Sequence, residues 1–384
     1  MADQICLKGV AWNHTRGFTP VVATAQRYEE FHPEVRITWE KRSLQAFADT
    51  PMHKLAEAFD LIVMDHPHTA IAAESGVLLP LDKWLPAGFL EDQRTNSVGG
   101  SHDSYSHLGH QWTLATDAAA PVATWRPDLM DARGLSLPGT WEDVLALAKA
   151  GHVAVSLFPV DVLMHVYMFC EALETPAFQE KDEFAPHDSV AKALECLKEL
   201  GGLCGPESLH RNPIRTAELM TRTDEAAYCP FAYGYSNYSR PRYARSVLKA
   251  GGLVTFNGRR LRSTLGGAGL AVSSKTAQPE AAADYARFTA EPATQRGIYF
   301  EAGGQPGHRA AWTDESVNEA SNDFFKDTLA TLDEAIVRPR YAGYMHFQDA
   351  ASPVAHDFVA GKSSLKSTLE DLDRLYFESL RIQP

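Results

Sequence analysis

Polar and aromatic side chains that could bind a small molecule are concentrated in short segments that follow predicted strands. In the first half of the chain these segments are 12–16, 42–43 and 65–66, and in the second half the aromatic segment 233–237 is the most prominent. Ligands of open α/β sheets bind beyond the carboxyl ends of the strands. We therefore expect these segments to form a binding site for a small polar molecule.

The residue types in these segments suit a ligand that is rich in hydroxyl groups. An aromatic ring covers the apolar face of a sugar, and Asp, Asn and Arg side chains each satisfy paired hydroxyls. The arginines and histidines favour a ligand that also carries a carboxylate or another anionic group, which arginine binds in bidentate fashion. Trp12 and Arg16 are the strongest candidates. The expected ligand-binding residues are Trp12, Asn13, His14, Arg16, Arg42, Ser43, Asp65, His66, Thr116, Asp117, Phe158, Asp161, Tyr233, Tyr235, Asn237, Gly267, Ala268 and Gln305.

Asp65-His66-Pro67-His68 offers a different chemistry, because a carboxylate and two imidazoles can contribute to a zinc or iron site. Pro67 restricts the backbone of His66 and so limits how far these side chains converge. Tyr233 and Tyr235 could hold ferric iron as phenolates, but tyrosines in an aromatic loop are more often packing or stacking groups. We expect neither a metal site nor a cofactor.

The common catalytic signatures are missing from the sequence, which contains no GxSxG, HExxH or GxxxxGK[ST] motif. Gly267-Ala268-Gly269 lacks the third glycine of a dinucleotide-binding fingerprint, and a predicted strand rather than a helix follows it. We therefore expect a binding protein rather than an enzyme.

Alternating strands and helices position the segments of the first half. Ile5–Trp12 and Leu61–Met64 are predicted strands, and the continuous apolar run of the second is typical of a strand buried on both faces. Residues 35–40 alternate between apolar and polar, which predicts a half-exposed strand near the sheet edge. Helices are predicted from Thr19 to about Phe31 and around Leu44–Ala48.

The second half shows a similar alternation. Val153–Phe158 and Ala226–Phe231 are predicted strands. Helices are predicted from Pro159 to about Leu173 and over Ser189–Leu200, where Gly201-Gly202 is expected to end the helix.

Residues 114–147 contain the stretch that links the two halves. A short extended run passes through Thr116-Asp117, and a second follows at Pro121–Trp125. Thr140 then precedes Trp141-Glu142-Asp143, which predicts a helix start whose acidic first turn suits the helix dipole. An extended segment between two α/β halves predicts a crossing between lobes, and an ordinary surface loop is the alternative.

The run A-P-V-A-T-W-R-P-D-L-M-D-A-R-G-L, followed by P-G-T-W-E-D-V, resembles the crossover of the extracellular solute-binding proteins of ABC importers, in the family that includes the maltodextrin binders. Trp125-Arg126 stands where that family most often has Tyr-Asn. Residues 31–35, 60–65 and 262–273 and the Gly-Gly-Gln-Pro loop at 303–306 also resemble family segments.

This resemblance implies an α/β fold of the type II periplasmic-binding-protein class, in which each lobe is a mostly parallel sheet flanked by helices and the ligand cleft lies between the lobes. It implies a first lobe of residues 1–115 and 266–310 and a second of 119–262 and 311–384, with hinge crossings near 114–120 and 263–268. A chain of 384 residues is also long enough for two domains.

Composition restricts the possible partners. The formal net charge of −13 argues against nucleic acid and anionic membranes, since both are bound through basic patches. The sequence has no apolar run of about 18 residues that could span a bilayer. The five cysteines form no CxxC motif, which argues against a disulfide framework or a structural zinc site, although Cys196 and Cys204 could either form a bridge or stay as free thiols.

The first residues, MADQICLKGVAW, show neither the basic and apolar regions nor the cleavage site of a signal peptide. The resemblance to exported proteins implies that such a signal was removed and that the protein is periplasmic, while a cytoplasmic location stays open.

We expect this chain to be the substrate-binding component of an ABC importer. It would capture a sugar, polyol or sugar-acid-like solute by hinge closure, act as a monomer, and deliver the solute to membrane permease subunits. The alternative is a cytoplasmic enzyme or sensor on the same two-lobe fold, or a metal-binding member.

Overall fold

The structure, a computed structural model, describes residues 4–43, 51–181 and 183–383 of the chain. The helix expected at Leu44–Ala48 lies outside the described residues. The chain divides into two units, which are Met1–Ala119 with Leu265–Glu319 (unit 1) and Ala120–Thr264 with Ala320–Gln383 (unit 2). The hinge role of the crossings stays a prediction.

The secondary-structure elements are numbered in chain order. The strands are β1 (Ile5–Trp12), β2 (Val35–Arg42), β3 (Leu61–Met64), β4 (Ser106–His107), β5 (His110–Gln111), β6 (Thr113–Leu114), β7 (Pro121–Trp125), β8 (Tyr228–Tyr233), β9 (Lys249–Gly251), β10 (Thr255–Phe256), β11 (Arg259–Arg260) and β12 (Gly269–Val272). The α-helices are α1 (Thr15–Phe31), α2 (Met52–Ala58), α3 (Thr69–Glu74), α4 (Ala87–Thr95), α5 (Ser101–Ser104), α6 (Pro127–Ala132), α7 (Trp141–Lys149), α8 (Pro159–Ala172), α9 (His187–Cys204), α10 (Pro213–Arg222), α11 (Pro279–Ala290), α12 (Pro292–Thr294), α13 (Arg309–Trp312), α14 (Glu315–Ala320), α15 (Phe324–Asp333), α16 (Tyr344–Val359) and α17 (Leu365–Ser379). None of the helices in the described part of the chain is long and apolar enough to cross a membrane.

Unit 1 contains a five-stranded sheet in the order β2-β1-β3-β12-β6. β1 is parallel to β2 and β3, and β12 is antiparallel to both β3 and β6. The apolar run of β3 is fully buried because strands cover both of its edges and core residues cover its faces, and β2 alternates between buried and exposed at the edge. The sequence predictions of an interior third strand and an edge second strand are confirmed.

Unit 2 contains a three-stranded sheet in the order β8-β7-β9, in which both pairs are antiparallel. This differs from the mostly parallel sheet that was expected, because an apolar pattern carries no information about strand direction. The predicted strand at Val153–Phe158 is reduced to one parallel bridge between Val153 and Tyr228.

The core of unit 2 is built around α8. This helix is apolar on nearly all sides and is buried between α9, α16 and the sheet, as a helix without a polar face must be. α9 does not end at Gly201-Gly202 as expected but continues to Cys204, and Gly205 follows with φ +82°. Gly201 serves packing instead, because a Cβ atom there would lie 2.9 Å from Leu157 Cδ1.

The cysteines are all free thiols. Cys196 and Cys204 lie on the same helix, about 12 Å apart along its axis at 1.5 Å per residue, which is too far for a disulfide. The bridge considered between them is therefore excluded.

Candidate functional site

The candidate residues of unit 1 lie along one edge of its sheet. β1 and β2 run parallel with Trp12 opposite Arg42, and β3 ends on the same side at Met64. β12 and β6 are antiparallel, so residues 267–268 and 115–117 reach this edge as well. The expected residues that meet there are Trp12, Asn13, His14, Arg16, Arg42, Ser43, Asp65, His66, Thr116, Asp117, Gly267, Ala268 and Gln305.

Trp12 is only 5% exposed and belongs to the core of unit 1. Its indole lies against Gly17 in the first turn of α1, where a Cβ atom would come within 2.3 Å of the ring. These contacts show that Trp12 anchors α1 to the sheet, and its contact with a ligand stays a prediction.

Arg16 and Asp117 form a buried ion pair. Arg16 Nε donates to Asp117 Oδ2 at 2.8 Å and Nη2 donates to Oδ1 at 2.5 Å, with both residues less than 5% exposed. Burial raises the pKa of Asp117, and the paired guanidinium opposes that rise. A bidentate pair of this kind fixes geometry as well as charge, so it joins the start of α1 to the segment 115–119.

Backbone hydrogen bonds hold the segment 115–119 on two sides. Asp117 exchanges both backbone hydrogen bonds with Ala268, at 2.9 and 3.1 Å. On the other side Gly307 N donates to Thr116 O at 3.1 Å, and Gln305 Nε2 donates to Ala118 O at 2.8 Å. Two of the predicted ligand residues, Ala268 and Gln305, thus support this segment.

Two glycines allow this close approach of three chain segments. Gly267 has φ +100°, and a Cβ atom there would lie 2.4 Å from Asp117 O. At Gly307 the added atom would lie 2.0 Å from Ala115 O. Neither position accepts a side chain without displacing backbone.

Most of the polar groups that are accessible to solvent at this edge lie at or just after the ends of β1 and β2, and Asp65 after β3 is also partly accessible. Asn13 and Ser43 are exposed, and His14 and Arg42 are half-buried. His14 Nδ1 accepts the Arg16 backbone N–H at 3.0 Å, and burial, with a smaller effect of Arg16, lowers the pKa of His14 to about 4. His14 is therefore a neutral cap at pH 7, with its proton on Nε2. Burial also lowers the pKa of Arg42 to about 10, so this guanidinium remains charged.

Asp65 and His66 begin the short helix that follows β3. The Asp65 carboxylate accepts the His66 backbone N–H at 2.9 Å, and the His66 imidazole, 1% exposed, packs edge-on against Tyr105. Among the described residues, no group of three or more His, Cys, Asp or Glu side chains could hold a metal ion.

In unit 2, Phe158 and Asp161 lie at the start of α8, where Phe158 is the N-cap residue and Asp161 is in the first turn. Asp161 is 3% exposed, and Ser156 Oγ lies 2.6 Å from its Oδ2 and 3.0 Å from Arg211 O. Burial raises the pKa of Asp161 to about 7, although the Ser156 hydroxyl opposes the shift. The protonated carboxyl can donate to Ser156 while Ser156 donates to the Arg211 carbonyl.

The aromatic segment 233–237 of unit 2 begins at the last residue of β8 and contains Tyr233, Tyr235 and Asn237. Tyr233 and Tyr235 are half-buried and line a cavity of about 20 Å³, which is large enough for a water molecule. The Tyr233 hydroxyl lies 3.1 Å from Thr264 Oγ1, and Asn237 is fully buried. Both tyrosine rings are therefore partly accessible, while Asn237 belongs to the folded loop.

Several residues that shape these sites were missed in the sequence. Ser156 is the partner of Asp161, and a serine five residues before an aspartate gives no pattern from which this contact could be predicted. Gly307 directly follows the loop 303–306 that resembles a family segment, but a side chain is excluded there by a segment almost 200 residues away in the sequence.

Residues 11–158 match the family model described as bacterial extracellular solute-binding protein. This match confirms the resemblance that the crossover segment indicated, over a part of the chain that is less than half of its length.

Solved structures with the same fold cover nearly the whole chain. A solute-binding protein of Thermotoga lettingae bound with α-D-tagatose superimposes with a TM-score of 0.84 at 14% identity, covering 98% of this chain and 100% of that chain. Maltose-bound MalE3 of T. maritima gives 0.83 at 16% identity, with 97% and 99% covered. A solute-binding protein of Agrobacterium radiobacter K84 in complex with ribitol gives 0.82 at 18% identity, with 98% and 99% covered. The expected two-lobe α/β fold is confirmed.

Proposed function

We propose that this chain is the substrate-binding component of an ABC importer and that it captures a small hydroxylated solute. The observation that carries the proposal is the edge of the unit 1 sheet, where neutral, cationic and anionic side chains from three parallel strands meet in the segment of the chain that matches a solute-binding family. Such a mixture satisfies several hydroxyl groups at once.

The proposed ligand class is a sugar, a polyol or a sugar acid. Solved structures of the same fold have tagatose, maltose or ribitol bound, which supports a solute of this chemistry. Arg42 adds a preference for an anionic group, since its guanidinium stays charged at pH 7 and can bind a carboxylate through two N–H groups.

The accessible residues are proposed to contact the solute directly, and the buried ones to hold them in place. In unit 1 the direct contacts are Asn13, His14, Arg42, Ser43 and Asp65. The supporting group consists of Trp12, Arg16, His66, Thr116, Asp117, Gly267, Ala268 and Gln305. In unit 2 the proposed contacts are Phe158, Tyr233 and Tyr235, and the buried residues Asp161 and Asn237 support them.

Capture is proposed to work by population shift. A solute that contacts both units favours the conformation in which both sets of contacts exist. Micromolar binding supplies about 8 kcal/mol, which exceeds the few kcal/mol that such an equilibrium requires. The loaded protein would then act as a monomer in the periplasm and pass the solute to the permease subunits without changing it chemically.

Substitution of Arg42 by Gln tests the site. We expect stabilisation of the wild type in a thermal-shift screen of ribitol, D-tagatose, maltose and D-galacturonate, and at least tenfold weaker binding of galacturonate by Arg42→Gln in calorimetry, because one charge-assisted contact is lost. Arg36→Gln is the matched control, since Arg36 lies near the opposite end of β2 and pairs with Glu29. Equal affinity of the two variants would remove Arg42 from the site, and a screen without any stabilising sugar, polyol or sugar acid would contradict the proposed function.

A further inference from the structure

Unit 2 contains a cavity of about 350 Å³ in addition to the candidate site. Its wall is formed by the last turns of α8 and α17, by residues 177–179 and by the segment 336–341. Glu171 on this wall lies about 15 Å along α8 from Asp161, at 1.5 Å per residue. Within the described part of the chain, none of the residues expected to bind the solute lines this cavity.

A buried hydroxyl group faces this environment without a hydrogen bond of normal geometry. Tyr167 is 4% exposed and lines the cavity, and its hydroxyl makes no hydrogen bond to any described residue within normal distance and angle limits. The Tyr344 hydroxyl also lacks a bond within these limits, and the two hydroxyls interact with each other only through a longer contact, which raises the pKa of Tyr167 and lowers that of Tyr344. Burial raises the pKa of Tyr167 far above its usual value, so its hydroxyl stays protonated and can donate a hydrogen bond. A buried donor of this kind is destabilising unless a ligand or a water molecule accepts a hydrogen bond from it.

Arg338 provides a cation on the same wall. It is 5% exposed, its Nη1 donates to Gln348 Oε1 at 3.0 Å, and its charge is close enough to oppose the rise in the pKa of Tyr167. A guanidinium carries five N–H donors, so Arg338 can keep its existing partners, Gln348 among them, and also bind a ligand oxygen. The carboxylate on this wall, Glu171, is paired with Arg262 at 2.9 Å and so does not present a bare negative charge to the cavity.

Apart from Gln179 and Thr264, whose Oγ1 lies 3.1 Å from the Tyr233 hydroxyl, the rest of the wall is mainly apolar. The Tyr341 hydroxyl lies 2.8 Å from Ser379 Oγ and the Tyr376 hydroxyl donates to Glu180 O at 2.9 Å, so their polar ends are engaged. Phe178 and Leu380 complete the apolar surface. Cavities of about 300 Å³ or more are typical of sites for small organic ligands and exceed the roughly 30 Å³ that one water molecule occupies.

We propose that this cavity is a second binding site, separate from the solute site, for a compact organic monoanion such as an aromatic carboxylate. The carboxylate accepts hydrogen bonds from the Tyr167 hydroxyl and the Arg338 guanidinium, and the ring packs among Phe178, Tyr341 and Tyr376. This site does not depend on the function proposed above.

The test uses benzoate as the probe with the full chain. We expect saturation-transfer NMR to show benzoate binding, and benzyl alcohol and acetate to bind at least tenfold more weakly because each lacks either the charge or the ring. Tyr167→Phe keeps the ring and removes the hydroxyl, and we expect it to weaken benzoate binding about tenfold.

A second pair of variants distinguishes loss of the binding site from a folding defect. Leu380→Trp fills the mouth of the cavity at a residue that is already 42% exposed, and Leu137→Trp adds the same bulk at an exposed leucine that does not line the cavity. We expect only Leu380→Trp to abolish benzoate binding, and both variants to keep the thermal-shift response to the solute. The proposal is overturned if benzoate does not bind, if it binds Leu380→Trp and Tyr167→Phe as well as wild type, or if a benzoate-soaked crystal shows only water in the cavity.

Discussion

Gly267 and Asp161 are single residues whose surroundings restrict the choice of side chain. Gly267 combines a left-handed backbone conformation with contact to the backbone of the segment 115–119. Asp161 is a buried carboxyl group that the hydroxyl of Ser156 approaches to 2.6 Å. Their effects on stability differ in kind, since the first is steric and the second depends on pH.

Gly267→Ala should destabilise the protein by about 2–4 kcal/mol, because strain at φ +100° and a contact of 2.4 Å with Asp117 O act together. The measurement is urea unfolding. The matched control is Gly258→Ala, where φ is +76° but no atom lies within 4 Å of the added Cβ, so we expect a loss of only about 1 kcal/mol. A Gly267→Ala effect no larger than that of the control would show that the segment can move aside.

Asp161 should make the protein less stable as pH rises from about 4 to about 7. In this range the folded state keeps a proton that the unfolded state, with the ordinary pKa of 3.8, has released, so the folded state is favoured at the acidic end. The full effect has an upper bound of about 4 kcal/mol. Asp161→Asn removes this slope and should be more stable than wild type at pH 8, as followed by urea unfolding at several pH values without solute. An unchanged slope in Asp161→Asn would mean that the carboxyl is already ionised at neutral pH.

At the scale of elements, the Arg16–Asp117 ion pair joins the first turn of α1 to the segment that follows β6, although the two lie far apart in the sequence. Both residues were singled out from the sequence as ligand contacts, and neither residue type nor spacing could show that they satisfy each other.

Asp117→Asn should cost about 3–5 kcal/mol, because it leaves the Arg16 guanidinium buried with a weaker partner. Replacing both residues, as in Arg16→Leu with Asp117→Leu, should cost less than the sum of the single changes. Glu40→Gln is the control at an exposed pair, Lys8–Glu40, and should cost less than about 1 kcal/mol. Additive single and double effects in chemical unfolding would show that the pair is not coupled.

Most elements of unit 1 could be predicted, because β3 is a continuous apolar run and β2 alternates with period two. The direction of the unit 2 strands could not, since β7 and its neighbours owe their antiparallel pairing to chain connections that leave no mark in their apolar pattern. The position of the candidate segments 12–16, 42–43 and 65–66 at one edge of the sheet was predictable, because each follows a predicted strand. The burial of Trp12 and Asn237 depends on contacts made by the folded chain and was therefore not predictable.

At the scale of the whole molecule, the proposed capture by two units has a direct physical readout. A solute that binds residues of both units should change the distribution of conformations, whereas a ligand of one unit alone should not.

Saturation with a solute found in the thermal-shift screen should reduce the radius of gyration in small-angle X-ray scattering. Benzoate provides the comparison, since its proposed cavity lies within unit 2 and its binding should leave the scattering curve unchanged. An unchanged radius of gyration at saturating solute would contradict capture by closure.

The position of β12 has a consequence for biosynthesis. This strand lies between β3 and β6, yet unit 2 residues 120–264 separate it from them along the chain. While translation proceeds, β3 and β6 therefore emerge from the ribosome long before their common partner and present open backbone edges, which favour mispairing. Folding of unit 2 is also delayed, because its core includes residues of α16 and α17, which are synthesised last. A nascent chain of this protein thus has a long interval in which neither unit can be completed.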